Sequence, residues 1–483
     1  MNKRHQSAQS KAGVEHVKNI VIFIGFVVLL FFGAVLFLNN FLPLKERLLL
    51  ISMLFVLDLL LAIGIKGLRG TGAGLVLLLF LLVTGVQGFA GYVVWSSMAT
   101  LDQVSSEDDP SAEQWNASEA TTPFHLFLSG KDTDGSIDPN SRSDVNMILT
   151  VNPATHTMNV TTIPRDAYMR IQGEGENEYD KLTHAGLNGV KSSVQTLEKF
   201  FGIKIPYYVV VNFDSVIDIV NLLGGVDVDN PEDFVSLDDH FVKGRIHLNG
   251  DQALNFARAR YGLKDGEMGR GRNHVRLLEA MIRKAISPAI ITQYSSILNV
   301  VGNKMVTNMS REKIVDLVNY QISNNEPWKM ESAQLQGFQT IGLPSYRIPD
   351  VDLYMMLPSQ ESKRDILAQM NAVMEGKTVT SLSKSSYELH HEDWADLPID
   401  NIYDYLQENY TATPENEASY DVEVDQQGSI ETPSYSSEED HHAPTQNTSD
   451  ASTEPHEPSA DEPGQDQTEN TAPVEVEEEN GSE

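Results

Sequence analysis

The 483-residue chain contains no cysteine, which excludes disulfide staples and thiolate metal sites. It also lacks a Walker-type Lys-Ser/Thr pair after its glycine-rich stretch, a Gly-X-Ser-X-Gly elbow and a His-Glu-X-X-His pair. Nucleotide P-loop binding, the serine-hydrolase elbow and the zincin arrangement are therefore unsupported. Positive charge is scarce: 35 Lys and Arg stand against 68 Asp and Glu, for a net charge of −33. The shortage is uneven. Residues 411–483 hold 21 Asp and Glu with no Lys or Arg, and setting that −21 aside leaves −12 on the rest. Such a balance argues against general nucleic-acid binding. The acidic tail is rich in Glu, Asp, Ser, Thr and Pro and has too little apolar surface to offset chain entropy, so residues 411–483 are expected to be disordered.

Long apolar runs are concentrated near the N-terminus. Ile20–Leu38 is 19 residues without a charge, Leu48–Ile65 is 18 residues with one charge (Asp58), and Gly72–Trp95 is 24 residues with Gln87 as its strongly polar member. Each approaches the roughly 20 residues that span a bilayer core, and three in succession argue against a cleaved signal peptide. Lys3, Arg4, Lys11 and Lys18 precede the first run, and Lys66 and Arg69 separate the second from the third. After the third run no Lys or Arg occurs until Lys131, whereas Asp102, Glu107, Asp108 and Asp109 do. The positive-inside rule then places the N-terminus in the cytoplasm and everything after Trp95 outside, with Lys45 and Arg47 in the first outer loop as a minor counter-signal. With 19 residues ahead of the first span, no helix-turn-helix region fits on the cytoplasmic side. Asp58 in mid-span reads as a carboxylate buried between packed helices, or else as a functional intramembrane acid.

Residues 97–121 are polar and read as a linker. Beyond it, strands and helices interleave. Phe124–Ser129, Asn146–Val151 and Met158–Ile163 are apolar and β-branched, the latter two joined as a hairpin. Tyr207–Asn212 and Val226–Val228 are further strands. Leu187–Phe201, Phe213–Leu223, the segment from Leu248 to Arg258, Asn273–Ile286, Thr292–Met305 and Arg311–Ile322 carry helical patterns. The predicted class is α/β, a mixed sheet between helices over residues 122–376, preceded by three membrane helices. Residues 377–410 are polar, although Trp394, Leu397, Ile399, Ile402 and Tyr405 give Asp393–Tyr405 the means to pack.

Four clusters carry the chemistry. Ser129-Gly-Lys-Asp132 ends the first strand, Ser141-Arg-Ser-Asp144 precedes the second, and Ile163-Pro-Arg-Asp166 follows the third. The fourth is Asn255-Phe-Ala-Arg-Ala-Arg-Tyr-Gly-Leu-Lys-Asp-Gly-Glu-Met-Gly-Arg-Gly-Arg-Asn-His274, with Arg258, Arg260, Arg270 and Arg272 close in sequence. Arginine forks bind phosphate oxygens bidentately and stay charged at any working pH. Asp132 and Asp144 among arginines point to a hard divalent cation bridging carboxylate and phosphate. Arg142, Arg165, Arg258, Arg260 and Arg270 would neutralise the remaining phosphate charge and the charge building on the bridging oxygen. Arg270 and His274 share a face if their helix begins by Gly269. Arg258 and Arg260 diverge on a regular helix and converge on one ligand only if the helix ends there. The bland alternative is a solvated basic face.

In order along residues 122–290, Arg142-Ser-Asp144, Thr161-Thr-Ile-Pro-Arg-Asp166, Asp180-Lys-Leu-Thr-His-Ala185, Tyr207-Tyr-Val-Val-Val-Asn-Phe213, Leu223-Gly-Gly-Val-Asp-Val228, Leu248-Asn-Gly-Asp-Gln-Ala-Leu254 and the arginine stretch together resemble the LytR–CpsA–Psr family of Gram-positive cell-wall proteins. The resemblance implies a membrane-anchored phosphotransferase, moving a glycopolymer such as teichoic acid or capsule polysaccharide from a polyprenyl-pyrophosphate carrier to peptidoglycan. It implies a multi-pass membrane protein with an extracellular catalytic domain, a lipid tail in an apolar slot, and magnesium or manganese at the pyrophosphate. Carried over residue by residue, Asp132 and Asp144 fall on metal positions, while Arg142, Arg165, Arg258, Arg260, Arg270 and Lys181 fall on pyrophosphate positions. Asp144, Arg165 and Arg258 are the expected catalytic set. His274 stands where the family usually has Gln, and its charge would depend on pH. Lys131-Asp132-Thr-Asp-Gly also lacks the Arg that many members carry two residues after the Asp. The competing readings are a polyprenyl-pyrophosphate hydrolase using the same residues and a non-enzymatic scaffold or regulator of capsule export.

Overall fold

The computed structural model describes residues 2–104, 121–131, 137, 140–173, 178–285, 305–324, 326–349, 351–382, 387 and 397. Asp132, most of the segment predicted as a helix over Thr292–Met305, and the acidic tail lie outside those residues. Met305, the last residue of that segment, begins a strand instead.

Three long helices come first: α1 (Asn2–Leu38), α2 (Leu44–Gly67) and α3 (Thr71–Val104). Within them Gly13–Leu38, Leu44–Gly67 and Thr71–Ala99 are long and apolar enough to cross a membrane. Large apolar side chains such as Leu30, Leu60, Leu82 and Phe89 point outward, as a lipid-facing surface requires. Asp58 is fully buried inside the bundle, where Gln87 Nε2 donates to its Oδ2 at 2.9 Å. The mid-span carboxylate is thus an interhelical contact. Arg47 is buried as well. Its Nη1 donates to the Leu36 carbonyl at 3.3 Å and its Nη2 to Asn40 Oδ1 at 2.7 Å, so it caps the end of α1. The positive charge counted against the predicted topology has this structural use.

The second part is built on a six-stranded mixed sheet. β1 (Phe124–Lys131), β2 (Val145–Asn152) and β3 (Thr157–Thr162) form an antiparallel meander. After the small hairpin of β4 (Tyr168–Arg170) and β5 (Tyr179–Lys181), and α4 (Leu182–Ala185) and α5 (Val190–Phe201), β6 (Tyr207–Asn212) pairs parallel to β1. The chain continues through α6 (Phe213–Leu222), β7 (Val226–Asn230), β8 (Phe234–Ser236), β9 (Asp239–Phe241), β10 (Gly244–Leu248), α7 (Gly250–Arg258) and α8 (Gly266–Ala285). β11 (Met305–Thr307) closes one sheet edge against β6. After α9 (Arg311–Asn324), β12 (Lys329–Gln334) closes the other edge, parallel to β3. β13 (Gly337–Ile341), β14 (Tyr354–Pro358) and α10 (Gln360–Met374) complete the domain.

Helices cover both sheet faces, which is why β1 and β2 are buried along nearly their whole length. Leu197, Phe201, Ile366 and Met370 of α5 and α10 pack on Phe127, Ile148 and Val210. Val275, Leu278 and Ile282 of α8, with Ile314 and Leu317 of α9, pack on Leu126, Leu149 and Val160. A third core around Val220, Val226, Leu248 and Phe256 supports α7. The predicted α/β sandwich is therefore present. The helix predicted from Leu187 starts only at Val190, because Gly189 adopts φ +92° and interrupts it after a 3₁₀ turn. Leu397, in the segment expected to pack, sits against the Tyr168 and Phe338 cluster.

α9 rests on the helix bundle. Its Ile314 and Val315 meet Phe41 and Met98. Arg311 Nη2 donates to Asn39 Oδ1 at 3.0 Å and Asn319 Nδ2 to the Asn40 carbonyl at 2.7 Å. Next in line, the Lys313 ammonium lies 4.5 Å from the Phe124 ring centre and 4.6 Å from that of Tyr207. The starting ends of β1 and β6 thus face the bundle. The opposite end of the eight-residue β1 is about 23 Å further on at the usual strand rise.

Candidate functional site

The predicted motifs meet at that far end. β3 stops at Thr162, and Ile163 still donates to the Asn146 carbonyl at 2.9 Å. Pro164 has no amide hydrogen and ends the ladder, freeing Arg165 to turn across the sheet. Its Nη1 donates to Asp144 Oδ1 at 2.7 Å. Asp144 is fixed just ahead of β2, its amide donating to the Gly130 carbonyl at 3.0 Å. The neighbouring Ser143 is buried and donates to Asn146 Oδ1 at 2.7 Å, while Asn146 Nδ2 returns a bond to the Ser143 carbonyl at 3.0 Å. Gly186 allows this loop to lie flat, since a Cβ there would fall 2.7 Å from the Ser141 carbonyl oxygen.

Arg165 and Lys181 share a second carboxylate. Lys181 Nζ donates to Asp166 Oδ1 at 2.7 Å, and Arg165 Nε lies 3.6 Å from Asp166 Oδ2. The Asp180-to-His184 motif is the scaffold for Lys181. His184 Nδ1 donates to Asp180 Oδ1 at 2.8 Å, Ser345 Oγ to Oδ2 at 2.8 Å, and the Lys181 amide to Oδ1 at 2.7 Å. Burial alone would raise the Asp180 carboxyl, but these donors outweigh it and hold it below the usual carboxylate range.

α8 supplies the facing wall. It begins at Gly266, so Arg270 and His274 do share a face. Glu267, Gly271 and His274 line a cleft with Asp144, Thr162, Arg165 and Gln334. Glu267 accepts from Arg270 Nη2 and lies 3.7 Å from Arg260 Nε. Gly271 leaves room for Gln334, whose side-chain amide occupies the space a Cβ would fill. α7 ends at Arg258 and Ala259 turns extended, with ψ 127°. This end of the helix is the condition under which Arg258 and Arg260 could serve one ligand. Arg260 turns to Glu267, while exposed Arg258 has its guanidinium carbon 4.3 Å from the Phe213 ring centre. Phe213 follows Asn212, which is in register with Lys131, so Arg258 stands at the same rim.

The remaining predicted residues fall as follows. Arg142 is exposed on the loop before β2. Asp132 lies outside the described residues, beside buried Lys131, whose Nζ donates to the Ser141 carbonyl at 3.0 Å. Arg272 pairs with Asp265 away from the cleft lining. His274 departs from the expectation of a pH-dependent phosphate contact. Its Nε2 lies 2.9 Å from the Ala257 carbonyl, which requires the N–H there. Burial, followed by the nearby Arg270 charge, pushes its pKa down to about 3. The ring is neutral and braces the end of α7 beside the arginines.

Three residues in or beside the cleft were given no role from sequence. Glu267 sits one helical turn before Arg270, a spacing that could have flagged it. Asp166 lay in plain view in the Pro-Arg-Asp motif. Gln334 arrives from an edge strand far along the chain and left no signal. Buried Arg165 Nε, Arg270 Nε, Glu267 Oε2 and Gln334 Oε1 have no hydrogen-bond partner among the described residues, the unspent capacity expected where a polar ligand binds.

No group of three metal-ligating side chains occurs among the described residues. Magnesium does not need one, since it commonly takes one or two carboxylates and completes its shell with substrate phosphates and water. Asp144, with one oxygen on Arg165, is a hard donor of that kind at the cleft.

Residues 91–372, more than half of the chain, match the model of the LytR_cpsA_psr family. A polyisoprenyl-teichoic acid–peptidoglycan teichoic acid transferase TagU of Bacillus mycoides (strain KBAB4) is 33% identical over 297 residues, covering 60% of this chain and 92% of that relative. The TagU of Enterococcus faecalis (strain ATCC 700802 / V583) is 29% identical over 283 residues, covering 58% and 91%. Among solved structures, B. subtilis TagU aligns with TM-score 0.41 and 28% identity over 54% of this chain and all of that one. A structure of TagT bound to LIIa-WTA aligns with TM-score 0.43 and 26% identity over 55% and 94%.

Proposed function

The chain belongs to the LytR-CpsA-Psr family, and we propose that it is a membrane-anchored phosphotransferase carrying a glycopolymer from a polyprenyl-pyrophosphate carrier to peptidoglycan. The relatives' names as teichoic acid transferases support teichoic acid as the polymer class. The observation that carries the reading is a cleft lined by Arg165, Asp144 and Glu267, with Arg260 and Arg270 drawn to its wall through Glu267. Fixed guanidinium groups in a partly buried cleft stabilise charge that develops on transferring phosphates. The distribution of basic residues supports a cytoplasmic N-terminus and a cleft outside the cell.

In the proposed reaction an acceptor hydroxyl of peptidoglycan attacks the phosphorus bonded to the polymer's sugar. A new P–O bond forms as the P–O–P bridge breaks, and polyprenyl phosphate departs with the bridging oxygen. The hydroxyl proton passes to Asp144 or to water. Arg165, Arg260 and Arg270 hold the phosphate oxygens, with Arg258 and Arg142 at the rim. Asp166 and Glu267 keep those guanidinium groups from collapsing outward. Asp144, with Asp132 as its proposed partner, would hold magnesium, which supplies Lewis-acid neutralisation of phosphate charge.

The test uses the full chain in detergent, a donor labelled in its glycan, and peptidoglycan fragments. Label joined to peptidoglycan supports transfer. Label released only as free glycan phosphate means that water is the acceptor and the protein is a hydrolase.

A further inference from the structure

We propose that Tyr261 is a stacking platform for the first sugar of the lipid-linked donor. This rests on the phosphotransferase reading and extends it to a sugar subsite. Tyr261 is 94% exposed, the most extreme exposure of any large apolar or aromatic side chain in the described domain. Its backbone is nevertheless fixed. Ala259 on one side is buried, and on the other Gly262 lies so close to β8 that a Cβ would come within 2.5 Å of the Val235 carbonyl oxygen. The chain thus presents the ring to water from an anchored stretch of backbone.

That position adjoins the cleft. The Arg260 guanidinium carbon lies 5.5 Å from the Tyr261 ring centre, and its Nε lies 3.7 Å from Glu267 in the cleft wall. One arginine therefore stands between the proposed phosphate site and an exposed aromatic face. In the donor, the pyrophosphate is joined to the sugar through a single oxygen. A phosphate held by Arg260 places the next pyranose within the span that separates Arg260 from the ring. The C–H face of a pyranose is weakly electropositive and complements the electronegative face of an aromatic ring. Val235 and Leu237 on the neighbouring hairpin are also exposed and extend the apolar side of this ledge. Recognition by stacking tolerates different sugars, so it suits the first sugar without specifying the remainder of the polymer.

The experiment uses the full chain in detergent with two ligands, a polyprenyl pyrophosphate bearing one N-acetylated sugar and the same lipid pyrophosphate without sugar. Tyr261→Ala is expected to raise KM for the sugar-bearing donor by roughly three- to tenfold, the range of one aromatic stacking contact. Binding of the bare pyrophosphate should be unchanged, while Tyr261→Trp should retain wild-type KM. Equal weakening of both ligands would mean that the ring merely props Arg260, and no change in either would mean that it contacts nothing; both results overturn the proposal. Wild-type protein that binds neither ligand overturns the phosphotransferase reading beneath it, an outcome separate from failure of the subsite.

Discussion

Arg165 Nη1 and Asp144 Oδ1 stand 2.7 Å apart, joining the end of β3 to the entry of β2 at one end of the sheet. The pair is only partly buried, with side chains 29% and 16% exposed, so it is open to ligand. Its worth lies in orientation. Arg165→Ala is expected to lower transfer by roughly 10²- to 10³-fold, the scale of losing one pre-aimed donor. Its melting temperature should stay near wild type, because a pair with this exposure adds little stability. Circular-dichroism melting beside the transfer assay checks both parts.

Glu267 gives a different signature. It sits among Arg260, Arg270 and, at longer range, Arg165. Glu267→Ala leaves like charges facing one another across a half-buried cleft. A loss of about 3–8 °C in Tm is expected. Inorganic pyrophosphate should restore more of the melting temperature in this variant than it adds to wild type, since the anion replaces the missing charge. Thermal melts with and without pyrophosphate decide the point; a variant that pyrophosphate fails to restore would contradict the placement of the ligand.

Two histidines make stability depend on acid. Burial pushes His125 down to about 4, and burial with the Arg270 charge pushes His274 down to about 3, both from 6.5. A lowered histidine binds its proton more readily in the unfolded chain, so stability rises with pH through that window. The contribution is complete above pH 6.5 and falls away as the pH drops toward 4 and then 3. The expected slope is ~1.4 kcal/mol per pH unit for each residue within the window. His274→Gln can still donate to the Ala257 carbonyl and should remove one of the two shares. Urea titrations at pH 7, 6 and 5 measure it.

The seat of α9 on the helix bundle is testable because the chain has no native cysteine. Asn319 donates to the Asn40 carbonyl at 2.7 Å. A chain carrying Asn40→Cys and Asn319→Cys is expected to be bridged efficiently by a short bis-maleimide and to keep its transfer activity when bridged. Efficient bridging with loss of activity would mean that the domain must leave this seat to work.

Much of this was legible in the sequence where one force dominated. The apolar runs of α1 to α3, the β-branched strands β2, β3 and β6, and the Pro164 stop declare themselves by composition. The strand β12 does not, because Lys-Met-Glu-Ser-Ala-Gln carries mixed polarity at a sheet edge, and its place beside β3 is set by long-range pairing. β1 runs on through Gly130 and Lys131, a weak strand former and a charged residue that are nonetheless buried. At the site, the arginines were visible because positive charge is scarce in so acidic a chain, and Asp144 because it shares a short motif with Arg142. Glu267 looked like one more acid until the start of α8 at Gly266 placed it against Arg270. The role of His274 could not be read from spacing, because it depends on the carbonyl of Ala257, seventeen positions earlier.

The central claim is that the cleft transfers the phosphate nearest the glycan. A donor carrying radioactive phosphorus in that position tests it most directly. The label is expected to enter peptidoglycan together with the glycan, leaving polyprenyl monophosphate unlabelled, and Arg165→Ala and Arg260→Ala are expected to slow this movement by roughly 10²- to 10³-fold. Label that stays with the lipid, or transfer unchanged in both variants, would contradict it.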